Sequence, residues 1–260
     1  MKKYELVLDD KKEFAGKALY RIRALVAIGS LVSPGELGGY IEKENNLSMS
    51  GNAWVSGDAS VYGNASVSGD ASVYGDASVS GNAWVYGNAS VSGNAWVYGN
   101  ARVSGDASVY GNASVSGNAS VYGNASVSGD ARVYGDARVS GDASVSGNAR
   151  VSGNASVSGD ARVYGDARVS GDASVSGDAR VEKLWHVQNI TGLKHNLTFT
   201  PQNVAGGCRL FAHEDFAALE LKDCQSTWRK DELENFKFYQ VLYLKNLEIN
   251  SLAGGKNEVL

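Results

Sequence analysis

The sequence predicts a mainly β protein, in which a triangular parallel β-helix lies between an N-terminal β cap and a small C-terminal α+β domain. Three observations support this fold class. Twenty-two consecutive six-residue repeats, or hexads, run without a gap from residue 51 to residue 182. Each hexad places two apolar residues two positions apart, and the composition differs on either side of the run. Internal repetition of this kind is typical of solenoid proteins.

Each hexad reads Gly, Asn or Asp, Ala, x, Val, y, where x and y vary. In an extended strand the Ala and the Val point to one side, while x and y point to the other side. The Gly-Asn or Gly-Asp pair predicts a corner, because glycine tolerates a positive φ and both polar side chains form local turns. One hexad therefore predicts one short strand and one corner, with the Ala and the Val buried.

A strand this short cannot bury its own apolar side chains, so successive strands have to wind into stacked coils that share one interior. Three hexads per coil give a triangular prism of about seven coils, which rises by roughly 4.8 Å per coil and reaches about 35 Å. The phrase V-y-G-(N/D)-A-x resembles the hexapeptide repeat of left-handed parallel β-helices, the fold of many bacterial acyltransferases. That resemblance implies a left-handed coil.

The chain divides into three segments, which are an N-terminal cap over 1–45, the solenoid over 46–182 and an interaction domain over 183–260. LYRIRALVAIGSLVSPGELGGYIEKE predicts short strands and turns that cover the unpaired edge of the first coil. Near the C-terminus, NLTFTPQNVAGGCRLF predicts a β-hairpin, and HEDFAALEL and KDELENFKFYQVLYLKNLEI have apolar residues at helical spacing. SLAGGKNEVL is predicted to be a loose tail.

Larger residues at both ends of the run are predicted to plug the interior. Leu47 and Met49 occupy the Ala and Val places of a degenerate hexad just before it, and Trp185 and Val187 do the same just after it.

Both ends also resemble uncharacterised hexapeptide-repeat proteins of bacteria and their phages. The stretch YRIRAL…GELGGYIEKENNLS is the more specific match, and GGCRLFAHEDF is a weaker one. Some of these relatives are described as transferases, but most are described by fold alone. The resemblance therefore implies a phage or prophage type of protein without supplying a mechanism.

Composition limits the classes of partner. The net charge of −4 and the pI near 5.5 argue against a bulk electrostatic grip on nucleic acid or on an anionic membrane. The start MKKYELVLDDKKEF has no apolar stretch like that of a signal peptide, so we expect a cytoplasmic protein without membrane contact. Cys208 and Cys224 have no metal-ligand spacing, and we predict neither a metal site nor a cofactor.

Candidate catalytic residues are few. The acyltransferases that the repeat resembles use a histidine as general base and hold acyl-CoA between subunits, but His186, His195 and His213 all follow the repeat. Cys208, His213 and Asp215 have the residue types of a nucleophile, a base and an orienting group. Nothing in the sequence brings them together, and a cysteine packed beside a helix start explains them as well. We assign no catalytic residue and favour a non-enzymatic protein.

Side chains 18 residues apart are predicted to stack on one face of the rod. On this register Trp54, Trp84 and Trp96 fall on three different faces, and the tyrosines at y scatter over all faces. These rings do not form the aromatic platform that a sugar or a single-stranded nucleic acid would need.

Charged residues stack on the same register. An arginine ladder could bind a phosphate or an acidic partner, although most repeat arginines follow an aspartate by two residues, so a charge-balanced, solvated face explains them too. Aligned corner aspartates could bind cations or imitate a DNA backbone, but turn formation explains them equally well. The ladder consists of Arg132, Arg150 and Arg168, and the acidic edge consists of Asp142, Asp160 and Asp178.

These features predict a rigid, non-enzymatic scaffold or binding protein that recognises a protein partner, or a second copy of itself, mainly through its end domains. Trp185, Trp228 and Tyr239 are the candidate partner-binding residues, because aromatic side chains often anchor interfaces. An acyltransferase-like enzyme that uses acyl-CoA between subunits is one alternative. A phage inhibitor that captures a host protein or a nucleotide is another.

Overall fold

The computed structural model describes residues 2–183, 186–190, 197–206, 209–218 and 230–254. Its main body is a parallel β-solenoid with three faces, and antiparallel sheets lie at both ends. This is the predicted fold class. The left hand of the coil stays an expectation from the resemblance.

The N-terminal cap and the three faces contain the first 25 strands. The cap hairpin consists of β1 (Tyr4–Phe14) and β2 (Lys17–Ala24), and a short 3-10 helix spans Glu44–Asn46. Face 1 consists of β3 (Leu37–Ile41), β5 (Ser60–Val61), β8 (Ser78–Val79), β11 (Trp96–Val97), β14 (Ser114–Val115), β17 (Arg132–Val133), β20 (Arg150–Val151) and β23 (Arg168–Val169). Face 2 consists of β6 (Ser66–Val67), β9 (Trp84–Val85), β12 (Arg102–Val103), β15 (Ser120–Val121), β18 (Arg138–Val139), β21 (Ser156–Val157) and β24 (Ser174–Val175). Face 3 consists of β4 (Trp54–Val55), β7 (Ser72–Val73), β10 (Ser90–Val91), β13 (Ser108–Val109), β16 (Ser126–Val127), β19 (Ser144–Val145), β22 (Arg162–Val163) and β25 (Arg180–Val181).

The solenoid has about eight turns, one more than the regular hexads alone would form. The additional turn precedes residue 51. Its strand β3 pairs in parallel with β5, and Leu47 makes a β-bridge to Val67 on face 2. The cap and the rod therefore share one continuous sheet on face 1.

The interior contains the Ala and the Val of every hexad, as predicted, and each of these side chains is almost fully buried. At the corners, every hexad glycine has a positive φ, between 61° and 74°. Successive corner glycines also stack closely, so that a Cβ on Gly117 would lie 2.9 Å from the backbone nitrogen of Gly135. Glycine is therefore required for both conformation and space.

Consecutive coils are joined by backbone hydrogen bonds, and those that involve a residue outside the two-residue strands all run from the N–H of one coil to a carbonyl of the next. The N–H of Ser120 donates to the carbonyl of Ala137 at 2.9 Å, and the N–H of Tyr122 donates to the carbonyl of Val139 at 3.0 Å. As a result, the backbone groups that the first coil presents at its open end are mostly carbonyls, and those that the last coil presents are mostly N–H groups. The two ends need caps of opposite hydrogen-bonding character.

Donors close the N-terminal end. The Nζ of Lys3 donates to the carbonyl of Ala53 at 2.9 Å, and the Nδ2 of Asn46 donates to the carbonyls of Gly63 and Ala65 at 3.2 Å and 2.8 Å. Both side chains are buried, and burial lowers the pKa of Lys3 to about 8. On face 1, backbone N–H groups of the cap play the same role.

One predicted plug is wrong. Leu47 is buried, but Met49 is 36% exposed. The β-bridge to Val67 aligns Leu47 with the column of hexad Val side chains. The hexad register predicts Met49 at this place, so the chain is displaced by two residues. The displacement occurs because the side chain of Asn46 makes a hydrogen bond that a backbone N–H makes in a regular strand. Val187 packs against the solenoid core at the other end, as predicted, and Trp185 lies outside the described residues.

The C-terminal region is an antiparallel sheet covered by helices. Its strands are β26 (Gln188–Ile190), β27 (Leu197–Phe199), β28 (Asn203–Gly206) and β29 (Arg209–Ala212), followed by α1 (His213–Ala218) and α2 (Lys230–Gly254). The hairpin and both helices were predicted. The tail was predicted too early, because α2 includes the first four residues of SLAGGKNEVL.

Acceptors close the C-terminal end of the rod. Thr198 Oγ1 accepts the N–H of Ser174 at 2.8 Å, Gln202 Oε1 accepts the N–H of Arg180 at 2.8 Å, and His186 Nδ1 accepts the N–H of Glu182 at 3.1 Å. The N-terminal cap supplies donors and the C-terminal cap supplies acceptors, because the two ends of the rod present opposite backbone groups.

Candidate binding faces and end caps

The outward x positions of face 1 carry the predicted arginine ladder. Arg132 pairs with Arg150 and Arg150 pairs with Arg168 in the strand register, and all three side chains are exposed. The same column continues to Ser114 and Trp96 in the two preceding coils. Trp96 is 50% exposed. The structure thus joins an indole, a hydroxyl and three guanidinium groups in one line, and we call this line the face 1 column.

A shallow depression of about 510 Å³ lies at the N-terminal part of the face 1 column. Trp96, Ser114 and Arg132 line it along the column, and Tyr98 borders it. The amides of Asn94 and Asn112 form its edge. The depression therefore combines an aromatic ring with hydrogen-bonding groups and one cation.

The charge around the ladder is uneven. Arg132 and Arg168 each have an aspartate two residues earlier, whereas Arg150 follows Asn148, and the next corner carries Asn154. None of the repeat arginines forms an ion pair in the described part of the chain, where the salt bridges involve other residues. Arg150 is therefore the least compensated cation of the ladder.

The corners contain a second ladder, made of amides. Ten asparagine Nδ2 atoms donate to the Oδ1 of the Asn or Asp one coil later, at 2.8 to 3.2 Å. An aspartate only accepts, so within the described corners these bonds occur where the asparagine comes first. The order of Asn and Asp along a corner therefore decides where these side-chain bonds form.

The predicted acidic edge gains no support as a cation site. Among the described residues, no group of three or more His, Cys, Asp or Glu side chains is arranged to hold a metal ion. That statement includes Asp142, Asp160 and Asp178.

The three tryptophans of the repeat lie on three different faces, as predicted. Trp96 is on face 1 and Trp84 is on face 2, where the guanidinium of Arg102 lies 5.9 Å from its ring centroid. Trp54 belongs to face 3, but it is only 6% exposed because the N-terminal cap covers it. Packing of Gly38 against this indole leaves no room for a Cβ, which would lie 2.7 Å from Trp54 Cζ2.

A second cavity, of about 530 Å³, lies between the N-terminal cap and face 3. Leu31 and Trp54 contribute apolar surface, and Glu36, Asp70 and Tyr74 contribute polar groups. Hydrogen bonds to Ser92 and Ser90 lower the pKa of Tyr74. The two carboxylates already accept backbone hydrogen bonds, Glu36 from Ser33 and Asp70 from Asn52.

The described histidines have structural partners. His213 Nε2 lies 2.8 Å from the carbonyl oxygen of Thr200, and His213 Nδ1 lies 3.0 Å from Gln240 Nε2. These contacts fit a ring that donates through Nε2 and accepts through Nδ1. Cys208 and His195 lie outside the described residues, and Asp215 is an exposed residue in the first turn of α1. Because Cys208 is outside the described residues, the structure does not test the suggested group of Cys208, His213 and Asp215.

Helix α2 presents apolar side chains that the sequence analysis did not select. Phe236 and Tyr243 are buried against the sheet, and Leu233 is also buried. Tyr239 is half-buried against the same core, while Trp185 and Trp228 lie outside the described residues. On the outer side, four large apolar residues are 39% to 60% exposed, and they are Phe238, Val241, Leu242 and Leu244. Their helical spacing was visible in the sequence, but the buried side of the helix was not.

No helix in the described residues is long and apolar enough to span a membrane.

Comparison with known proteins gives one family match within the rod. The model of the YdcK beta solenoid repeat matches five segments, residues 83–99, 95–111, 131–147, 143–159 and 161–177. The rod is similar to the YdcK repeat. This similarity supports the β-solenoid fold and covers less than half of the chain, and the description of the YdcK repeat names no activity or partner. No curated protein matches the chain.

Proposed function

We propose that the protein is a non-enzymatic rigid scaffold that holds two different end regions at a set distance. The uninterrupted pairing of the coils carries this proposal. It runs on face 1 from β3 to β23, without an insertion between any two hexads. About eight coils at 4.8 Å give a rod of about 35 to 40 Å.

Rigidity follows from the way in which the coils are bonded. Each coil is hydrogen-bonded to the next on all three faces, and the same small side chains fill every layer of the interior. We expect such a rod to bend little, because bending would stretch the hydrogen bonds between coils on at least one of the three faces. The caps complete the rod, because they satisfy the carbonyls of the first coil and N–H groups of the last.

Recognition of a protein partner would then fall mainly to the end regions. The exposed side chains Phe238, Val241 and Leu242 favour the outer side of α2 as the contact surface. Exposed apolar groups that lie together on one helix are typical of protein interfaces. The complementary surface would be an apolar groove on another protein, with α2 as the inserted helix. This proposal retains the phage or prophage setting and the cytoplasmic location that we expect from the sequence.

Native mass spectrometry of protein purified gently from its source cell tests this contact. We expect a protein-sized addition to the 27.3 kDa chain, and we expect the double variant Phe238→Gln, Val241→Gln to lose it. The matched control is Ser120→Gln with Ser156→Gln, on face 2. Whole multiples of the chain mass that disappear in the same variant would replace the foreign partner with a second copy. A bare single chain, or an addition that both double variants retain, would overturn recognition through α2.

The acyltransferase alternative has less support. His213 uses both ring nitrogens within the C-terminal region, and Nδ1 of His186 accepts backbone N–H groups of the last coil. Calorimetric titration with acetyl-CoA would revive this alternative if it showed binding that His213→Asn abolishes. The inhibitor alternative depends on the face 1 column, which has its own test below.

A further inference from the structure

We propose that the face 1 column is a binding site for an acidic saccharide, a sugar chain that carries carboxylate or sulfate groups. This site is separate from the protein contact proposed for α2. It lies along the side of the rod, on residues Trp96, Ser114, Arg132, Arg150 and Arg168.

The first argument is the order of chemical groups along the column. Trp96 and Arg132 are two coils apart, or about 10 Å, and Arg132 and Arg168 are separated by the same distance. Trp96 alone is not an aromatic platform for a whole chain, but the negative face of one exposed indole attracts the partly positive C–H groups on one sugar ring. A guanidinium two coils further on can then form charge-assisted hydrogen bonds with an acid group of the same chain.

The second argument is the chemistry of the two edges. Amides and carboxylates stand at the corners beside the column, among them Asn94 and Asn112 near the indole and Asp130 and Asp166 near the ladder. Sugar hydroxyls donate hydrogen bonds to such groups, while the acid groups of the sugar reach the central guanidiniums. A chain that has both hydroxyls and acid groups therefore satisfies the edges and the centre together.

The aromatic content of the column disfavours a single-stranded nucleic acid. Such a ligand requires successive stacking rings. Within the described part of face 1, the x positions offer one exposed ring, Trp96.

The third argument is that the cations of the column are available. The ladder arginines are exposed and form no ion pair in the described residues, and Arg150 lies between two neutral corners, Asn148 and Asn154. Because the strands are held in the rod, the three guanidiniums are attached at equal intervals before any ligand binds. Preorganisation of this kind lowers the cost of binding a repeating ligand.

Calorimetric titration of the full chain with defined saccharides tests the proposal. The probes are a galacturonic acid oligosaccharide, which carries carboxylates, and a heparin fragment, which carries sulfates. A neutral maltose-series oligosaccharide and a single-stranded oligonucleotide serve as comparisons. We expect one of the acidic saccharides to bind, and the stronger of the two identifies the acid group. Neither comparison ligand should bind measurably under the same conditions.

Serine substitutions locate the site, because serine is the residue that most hexads already have at x. Arg150→Ser and Trp96→Ser should each weaken binding by about tenfold or more. The matched controls are Arg138→Ser and Trp84→Ser on face 2, which make the same changes of charge and size away from the column. The controls should bind as the unsubstituted chain does.

Three results would overturn the proposal. The first is no heat of binding with either acidic saccharide. The second is equal loss from Arg150→Ser and Arg138→Ser, which would show only a general charge effect. The third is binding of the oligonucleotide with the same dependence on Arg150 and Trp96, which would assign the column to a nucleic acid instead.

Discussion

At the scale of single residues, the corner glycines are the least replaceable positions of the rod. Their positive φ is a backbone conformation that is strained in other residues. They also lie close to the backbone of the next coil. The outward x residues have the opposite character, because Ser, Trp and Arg all occur there on the same backbone. Tolerance to substitution should therefore alternate within each hexad.

Replacing Gly117 with Ala tests this alternation. The new Cβ would need a φ of +68° and would lie 2.9 Å from the nitrogen of Gly135. We expect the free energy of unfolding to fall by about 2 kcal/mol or more. The control Ser120→Ala should change it by less than about 0.5 kcal/mol. Chemical denaturation measures both, and similar effects would contradict the assigned corner and face positions.

His186 predicts a pH dependence of stability. Its Nδ1 accepts N–H groups of the last coil, and burial lowers the pKa of the ring, an effect that Glu182 opposes. Because the folded chain disfavours the protonated ring, this contribution to stability is complete above the ordinary pKa of about 6.5 and is lost as the pH falls below it.

His186→Asn isolates this effect, because the Asn Oδ1 is an acceptor that does not titrate. Thermal melts between about pH 8 and about pH 5 should show a steeper loss of stability in the unsubstituted chain than in the variant. The carboxylates titrate in both proteins and cancel in the difference. Parallel curves for the two proteins would exclude His186 as a pH-sensitive cap.

At the scale of elements, the end caps match the direction of the backbone hydrogen bonds. Donors such as Asn46 Nδ2 meet the carbonyls of the first coil, and acceptors such as Thr198 Oγ1 meet the N–H groups of the last coil. Buried carbonyls without partners would destabilise the first coil and leave an open edge.

Asn46→Asp should be one of the most damaging single-atom changes. It replaces a donor with a carboxylate oxygen that faces the carbonyls of Gly63 and Ala65 in a buried position. We expect a loss of about 3 kcal/mol or more in the free energy of unfolding. Asn45→Asp adds the same charge at an exposed neighbour and should be almost neutral. The two variants are compared by chemical denaturation, and equal stability would mean that Asn46 is not a cap.

The corner amides predict an asymmetric effect of charge. Asn118 Nδ2 donates to Asp136 Oδ1 at 2.8 Å, so Asn118→Asp loses this bond and places two carboxylates together. We expect a cost of about 0.5 to 1 kcal/mol at low salt, and less at high salt because the repulsion is screened. The reverse substitution, Asp136→Asn, keeps the acceptor and should cost nothing. Thermal melts at two salt concentrations decide, and a larger cost for Asp136→Asn would contradict the ladder.

At the scale of the whole molecule, the length of the rod can change without a change in the chemistry of its two ends. The interior is the same in every coil, and the described cap residues form their hydrogen bonds to the rod with its terminal coils. Coils can therefore be removed from the middle of the rod without changing either end.

Deleting residues 90–143 removes three whole coils and joins Ala89 to Ser144 in the hexad register. The shortened protein should fold, and its maximum dimension in small-angle X-ray scattering should decrease by about 14 Å. Both end regions should keep their orientation, because the deletion is a multiple of 18 residues. Loss of the cooperative thermal transition would show that the coils are not equivalent.

Several levels of structure were predictable from the sequence because they depend on local rules. Spacing identified the buried Ala and Val and the corner glycines, since a strict period of six leaves one consistent register, and the premise of three hexads per coil predicted the stacking of Arg132, Arg150 and Arg168. The periodicity failed where the repeat ends. Met49 is exposed instead of plugging the core, because Asn46 makes side-chain bonds that displace the register by two residues.

The sequence by itself determined the rod, its three faces and the order of the groups along each face, because every hexad repeats the same pattern of apolar and corner residues. Only the tertiary structure decided how the ends are closed, which side of α2 is exposed and that Trp54 is covered while Trp96 is not. These features depend on contacts between residues far apart in the chain, such as Lys3 with Ala53 and Thr198 with Ser174. A local pattern does not encode such pairs, because hydrogen bonding across the ends depends on where the folded segments meet.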